Sequence, residues 1–221
     1  MKVLFSEYFM LNINDLLSFN NIPQLNDISL ALYCDFSENV LLKQQFHYFF
    51  EDNSDIIIQF TEFGIRHMLA IHHIDGRISK NDLFNSIKNG LCFDDFSRNN
   101  SINQRFKKQK TRIRLFSCVY NSFRYGRVFY CPNQLVNNST DIKMDYVIYR
   151  PIETKGLNIG IRAYQDKYIP LTILVSNQSN REKYINNSAM KIVKKLIISD
   201  ISTGTTIDEI TYADSFIMSN L

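Results

Sequence analysis

Tryptophan is absent from this 221-residue chain, and no window approaches the ~20 consecutive apolar residues of a membrane-spanning helix. The opening stretch MKVLFSEYFMLNIND has one Lys, then acids and Asn that interrupt any apolar run, so no secretory leader is expected. Cys34, Cys92, Cys118 and Cys131 form no CxxC pair, which argues against a zinc site and for reduced, partly buried thiols in a cytoplasmic protein. The chain also lacks HExxH, a P-loop, GxGxxG and GxSxG, so zinc-peptidase, nucleotide-driven and serine-hydrolase chemistry have no motif to rest on. No metal or other cofactor is implied. Excess charge is missing too: a net +3 is too mild to imply nucleic acid by itself.

What is present is ordinary globular material, 45% hydrophobic and 21% charged, long enough for one sizeable core. With no internal repeat and no linker, the chain reads as a single domain over 1–221. From Asp27, a plausible cap, the spacing Ile28, Leu32, Phe36, Val40 is helical. Phe46, Tyr48 and Phe50, then Ile56, Ile58 and Phe60, alternate around the turn EDNS and predict a hairpin. A helix follows over 60–77. Another runs from Ser79, with Asp82 at the capping-box position, Leu83, Phe84 and Ile87 on its buried side, and Gly90 as its stop. A longer helix spans Ile102 to Phe123, with Ile102, Phe106, Ile113, Phe116, Tyr120 and Phe123 on one stripe and the basic run RFKKQKTRIR on the other side. The period then becomes two, with strands expected at 127–131, 145–151, 158–164 and 169–176. Residues 181–221 suggest a short helix and a hairpin of MKIVKKLIIS and IDEITYA. Helices first and strands after predict an α+β fold, with N-terminal helices and a hairpin packed on an antiparallel β-sheet formed mainly by the C-terminal half.

The stretch FTEFGIRHMLAIHHIDGR, residues 60–77, concentrates the chemistry, because it holds three of the four histidines. Thr61 and Glu62 suit a helix start, Asp75-Gly76 suits a stop, and Phe63, Leu69, Ile71 and Ile74 form an apolar side. His67 and His72, five apart, do not share a face of a continuous helix, which disfavours a metal pair. Imidazole beside Arg66 and Arg77, with no acidic partner expected, suits phosphate instead. Taken singly, each histidine is more often structural than catalytic. As an ensemble, histidines, the basic run of Arg105, Lys107, Lys108, Lys110, Arg112 and Arg114, and strand-borne Arg150, Lys155, Arg162, Tyr164 and Thr172 are the side chains that metal-free RNA cleavage needs. There the ribose 2′-OH attacks its own phosphate, one group takes its proton, another protonates the leaving 5′-oxygen, and cations stabilise the phosphorane.

The order of these motifs resembles the phage-associated barnase–EndoU–colicin–RelE-like (PBECR) nuclease families. Phe63 precedes an H-[LM]-L-x-[IL]-H-type stretch at His67–His73. Arg112-Ile113-Arg114-Leu115-Phe116 follows on a long helix, then Pro170-Leu171-Thr172 and Tyr184. The likeness covers roughly residues 28–185 and leaves 186–221 as a C-terminal hairpin extension. Ala70 stands where Gly is expected, His73 where Lys is, and Thr172 replaces the usual Ser. The resemblance implies a small antiparallel sheet with helices on one face and a metal-independent endoribonuclease of phage or mobile-element origin. It implies His67 as proton-transfer group, Arg112 as phosphate clamp, Thr172 as a hydroxyl from a late strand, and His72, Arg66 and Arg150 as second choices. RNA (tRNA, rRNA or mRNA) is the expected partner, with a cognate inhibitor protein beside it. The alternatives are a non-catalytic nucleic-acid-binding module carried by residues 105–114, and a protein–protein (immunity or anti-host) factor using the C-terminal strand edge.

Overall fold

The expected hairpin is present in the computed structural model, which describes residues 10–78, 82–131, 143–180, 183–185 and 188–212. Strand β1 (Gln44–Phe50) and strand β2 (Asp55–Gln59) are antiparallel, with Phe46 opposite Ile58, and their alternating Phe46, Tyr48, Phe50, Ile56 and Ile58 are all buried. The later period-two stretches become β3 (Arg127–Tyr130), β4 (Tyr146–Ile152), β5 (Lys155–Tyr164) and β6 (Lys167–Asn177). After them come β7 (Ala189–Lys191), β8 (Val193–Asp200) and β9 (Thr206–Thr211). They form one sheet of nine strands in the order β7-β3-β4-β5-β6-β2-β1-β8-β9. All its pairings are antiparallel except β2 with β6, where Ile58 lies beside Tyr168.

MKIVKKLIIS is not one strand. It divides at Ile192 into β7, which pairs β3, and β8, which pairs β1. Those partners lie far apart in the strand order, so the sheet curls until edge strand β7 and the penultimate strand β8 are a single residue apart in the chain. The carbonyl of Ile192 accepts a bond from Glu51 N at 3.0 Å, which fixes the crossing. Rings meet across the curl: Tyr146 of β4 lies 6.5 Å from Phe50 and 5.2 Å from Tyr168.

The helices supply the other half of the main core. They are α1 (Ile13–Leu16), α2 (Leu30–Asn39), α3 (Glu62–Leu69), α4 (Ile71–Ile74), α5 (Leu83–Lys88), α6 (Asn100–Leu115) and α7 (Val119–Tyr125). Leu16, Tyr33, Phe36, Phe106, Phe116 and Phe123 join Phe46, Ile148, Ile159 and Leu196 in one cluster. A smaller cluster of Phe129, Met144, Val147, Tyr149 and Ile185 is separate from it. The fold is α+β, as the order of periodicities indicates.

Several boundaries differ from expectation. Ser29 caps α2 by accepting from Leu32 N, while Asp27 closes the preceding turn onto Gln24 N. Helix α5 starts after Asp82, whose side chain makes no cap bond, and Gly90 ends it at φ +100°; Ser79 lies outside the described residues. The helix expected over 102–123 is interrupted by a tighter turn at Phe116–Cys118, where Ser117 Oγ bonds Arg114 O at 2.7 Å and competes for a helical acceptor. Its stripe from Ile102 to Phe123 is buried regardless. The stretch expected as a short helix after 181 is covered only at 183–185, which form a turn.

The helix over 60–77 breaks in the middle. Ala70 adopts φ +56°, ψ 21°, the left-handed conformation usually given to glycine. For an L-residue this costs about 1–2 kcal/mol. The N–H of Ala70 bonds both Arg66 O and His67 O, as a helix-ending residue does, and α4 then sets off in a new direction.

Candidate active site

Where β2 ends, α3 takes its place alongside β6. The approach is close because residue 64 is Gly: a methyl there would collide with Pro170 O. The C-terminal carbonyls of α3 therefore arrive beside Thr172 on β6, and α6 crosses the same point. Arg112 of α6 fills the junction. Its Nε donates to Met68 O at 2.9 Å, and its Nη2 donates to His67 O and, at 3.2 Å, to Thr172 Oγ1. Thr172 is 1% exposed. A cation is well placed at a helix C-terminus, though burial lowers the Arg112 pKa to about 10. Three segments separated by 45 and 60 residues in the chain thus meet at one guanidinium. Its Nη1 has no bond among the described residues and is not one of the buried atoms lacking a partner.

Arg112 touches the backbone of His67; the imidazole points elsewhere. Its ring meets Phe63 at 4.5 Å and His72 at 4.9 Å, and His72 meets His73 at 4.0 Å. The left-handed turn at Ala70 brings the two histidines together, although on an unbroken helix they would diverge. His67 and His72 are half-buried and His73 is exposed. Among the described residues no group of three or more His, Cys, Asp or Glu could hold a metal ion.

The remaining basic residues divide sharply. Arg105 Nε bonds Ile74 O at 2.8 Å, and Arg114 bonds Pro23 O and Ile22 O, so both serve as ties between segments. Lys107 and Lys108 are exposed and Lys110 half-buried, and none of them makes an ion pair among the described residues. The expectation that Arg66 and Arg77 lack acidic partners is overturned. Arg66 pairs Glu62 at 2.5 Å with its side chain only 12% exposed, and Arg77 pairs Asp75 at 2.7 Å. Helical i,i+4 spacing explains the first; the turn after α4 explains the second.

Arg150 does not join the histidines. Thr172 lies opposite Gly160, and Gly160 opposite Val147. Arg150 is therefore two strands across and three residues along, about 14 Å away in backbone terms. It bonds Asn121 O at 2.7 Å and lines a separate cavity of about 450 Å³ with Tyr125, Arg127 and Lys191.

Phe63 is a further correction, because it stands 51% exposed while Leu69, Ile71 and Ile74 are fully buried. With Thr61, Arg162, Ala163, Tyr164, Ile169 and Leu171 it lines a cleft of about 600 Å³ between α3 and the β5–β6 hairpin. Sequence reasoning missed Gly64 and Leu171 here. A glycine inside a helical pattern was the available signal for close backbone approach.

The chain matches no family model, no curated protein and no solved structure.

Proposed function

We propose that this chain is a metal-independent endoribonuclease of the phage-associated PBECR kind, acting on cytoplasmic tRNA, rRNA or mRNA and held in check by an inhibitor protein. The observation that carries the reading is the meeting of Arg112 with Thr172 and with the backbone carbonyl of His67, whose imidazole lies beside that of His72. In the reaction, one of the paired imidazoles, His67 or His72, removes the 2′-OH proton while the other protonates the departing 5′-oxygen. Arg112 serves as positioning residue for α3 through its bonds to the helix end. Its remaining Nη1 is the donor left for a phosphoryl oxygen, with Thr172 orienting the guanidinium. The exposed Lys107 and Lys108 draw the polyanion in without reading sequence.

The test is cleavage of defined RNAs by purified protein in excess EDTA. Cleavage should proceed to 2′,3′-cyclic phosphate ends, follow a bell-shaped pH profile, and fall about 10²–10⁴-fold in His67→Ala with the fold retained. Intact RNA under these conditions, or a His67→Ala variant as active as the parent, sinks the proposal. The unpaired lysines favour one second reading, a nucleic-acid-binding module without chemistry. In that case RNA would be bound in a salt-dependent way, never cut, and His67→Ala would bind unchanged.

A further inference from the structure

Apolar side chains exposed singly are ordinary, whereas two aromatic rings lining one cleft mark a contact surface. Among the large apolar side chains left open, Phe63 at 51% and Tyr164 at 50% are near the top, and both line the same cleft. They come from unrelated parts of the chain, Phe63 from the first turn of α3 and Tyr164 from the end of β5. Ile169 and Leu171 give the cleft an apolar lining, and among the described residues Arg162 is its one charged lining residue. Arg162 is exposed and makes no ion pair among the described residues. Of the nearby acids, Glu62 pairs with Arg66 and Asp145 accepts from the N–H of Ala163 at 2.7 Å, while Asp166 stands exposed in the β5–β6 turn. One wall of the cleft, Phe63, is in edge contact with His67.

From this arrangement we infer that the cleft takes an unpaired base of a single-stranded RNA, stacked on Phe63 and Tyr164 with Arg162 beside the adjoining phosphate. The inference rests on the ribonuclease reading for its substrate and extends it to strandedness. Stacking is indifferent to base identity but requires that the base be out of a duplex, because a paired base has no free face to offer. The ring contact then places the sugar-phosphate next to a seated base within reach of the imidazole pair. The enzyme would therefore cut loops and single strands and spare helices.

The test separates docking from cleavage. A fluorescently labelled 2′-O-methyl RNA strand lacks the attacking hydroxyl and reports binding alone by anisotropy, as a single strand and annealed to its complement. The single strand should bind at least ~10-fold tighter than the duplex. Phe63→Ala and Tyr164→Ala should each weaken it by about 5- to 150-fold, while Phe63→Tyr and Tyr164→Phe retain it. Arg162→Gln should flatten the dependence of log K on log salt by about 0.7. Tyr164 is the cleaner of the two sites, since its removal leaves the Phe63–His67 contact in place. Equal binding of strand and duplex, or Ala variants that bind as the parent does, overturns the inference. Ring-dependent binding of the methylated strand while unmodified RNA stays intact upholds the docking site and removes the cleavage chemistry.

Discussion

Two helix-end carbonyls and a buried hydroxyl converge on Arg112, and only a planar fork of donors reaches all of them. Arg112→Ala leaves these acceptors unpaired and should lower the free energy of unfolding in urea by about 3 kcal/mol; Arg112→Lys, with one compact charge, should recover only part of that. Loss of activity in either variant therefore has to be read against its stability. The thiols make a second prediction at this scale. Burial pushes Cys34 and Cys118 up to about 11 and raises Cys131, whereas Cys92 is exposed. Iodoacetamide at neutral pH should mark Cys92 in the native protein and all four cysteines only in denaturant, as peptide mass mapping would show. A third concerns Asp75, whose carboxyl is held below its ordinary 3.8 chiefly by hydrogen bonds from Arg77. The unfolded chain binds this proton more readily, so the group's stabilisation is complete above that value. It is lost as the pH falls through the depressed one. Asp75→Asn should lower stability at neutral pH, where the carboxylate's contribution is complete, and flatten the acid limb in that window, as urea unfolding across pH would show.

Among the elements, α3 is positioned by what residue 64 lacks. Gly64→Ala presses a methyl into the backbone of Pro170, which has no rotamer with which to yield, and should cost about 1–3 kcal/mol in thermal unfolding. Ala70→Gly should be close to neutral. Relief of about 1–2 kcal/mol of left-handed strain is set against a buried methyl worth about 0.8 and the added chain entropy of glycine. Strand alternation, the first hairpin, the buried stripe of 102–123 and the order of classes were legible because each is local and periodic. The break at Ala70 was not, since no Gly or Pro announces it and bonds from Arg105 and Arg112 of α6 to carbonyls on either side of it hold it. The destinations of the basic run were equally hidden. Arg105, Arg112 and Arg114 look like Lys107 and Lys108 in a charge count, but what faces each one is decided by segments 31 to 91 residues distant. The meeting of Arg112 with Thr172 came from motif order, and residue chemistry alone did not indicate it.

For the whole molecule, the decisive feature is the division of one apolar stretch between two distant strands. Residues 190–199 were expected as the first strand of an appended hairpin, yet Leu196 and Ile198 lie fully buried in the main core beside β1. A chain ended at residue 188 should lose its cooperative urea transition and expose the partners of β8 to dye binding. A hairpin that merely presented an edge to a partner would leave the transition in place. No helix among the described residues is long and apolar enough to cross a membrane.

Chain order adds a consequence for biosynthesis. Strand β8 is translated long after β1, the strand it covers, so a ribosome still reading codons before 193 carries a chain whose β1 edge is unpaired on that side. Until β8 arrives, Leu196 and Ile198 are missing from the main core and the β1 edge is left open to pairing with another chain. The delay is written into the topology.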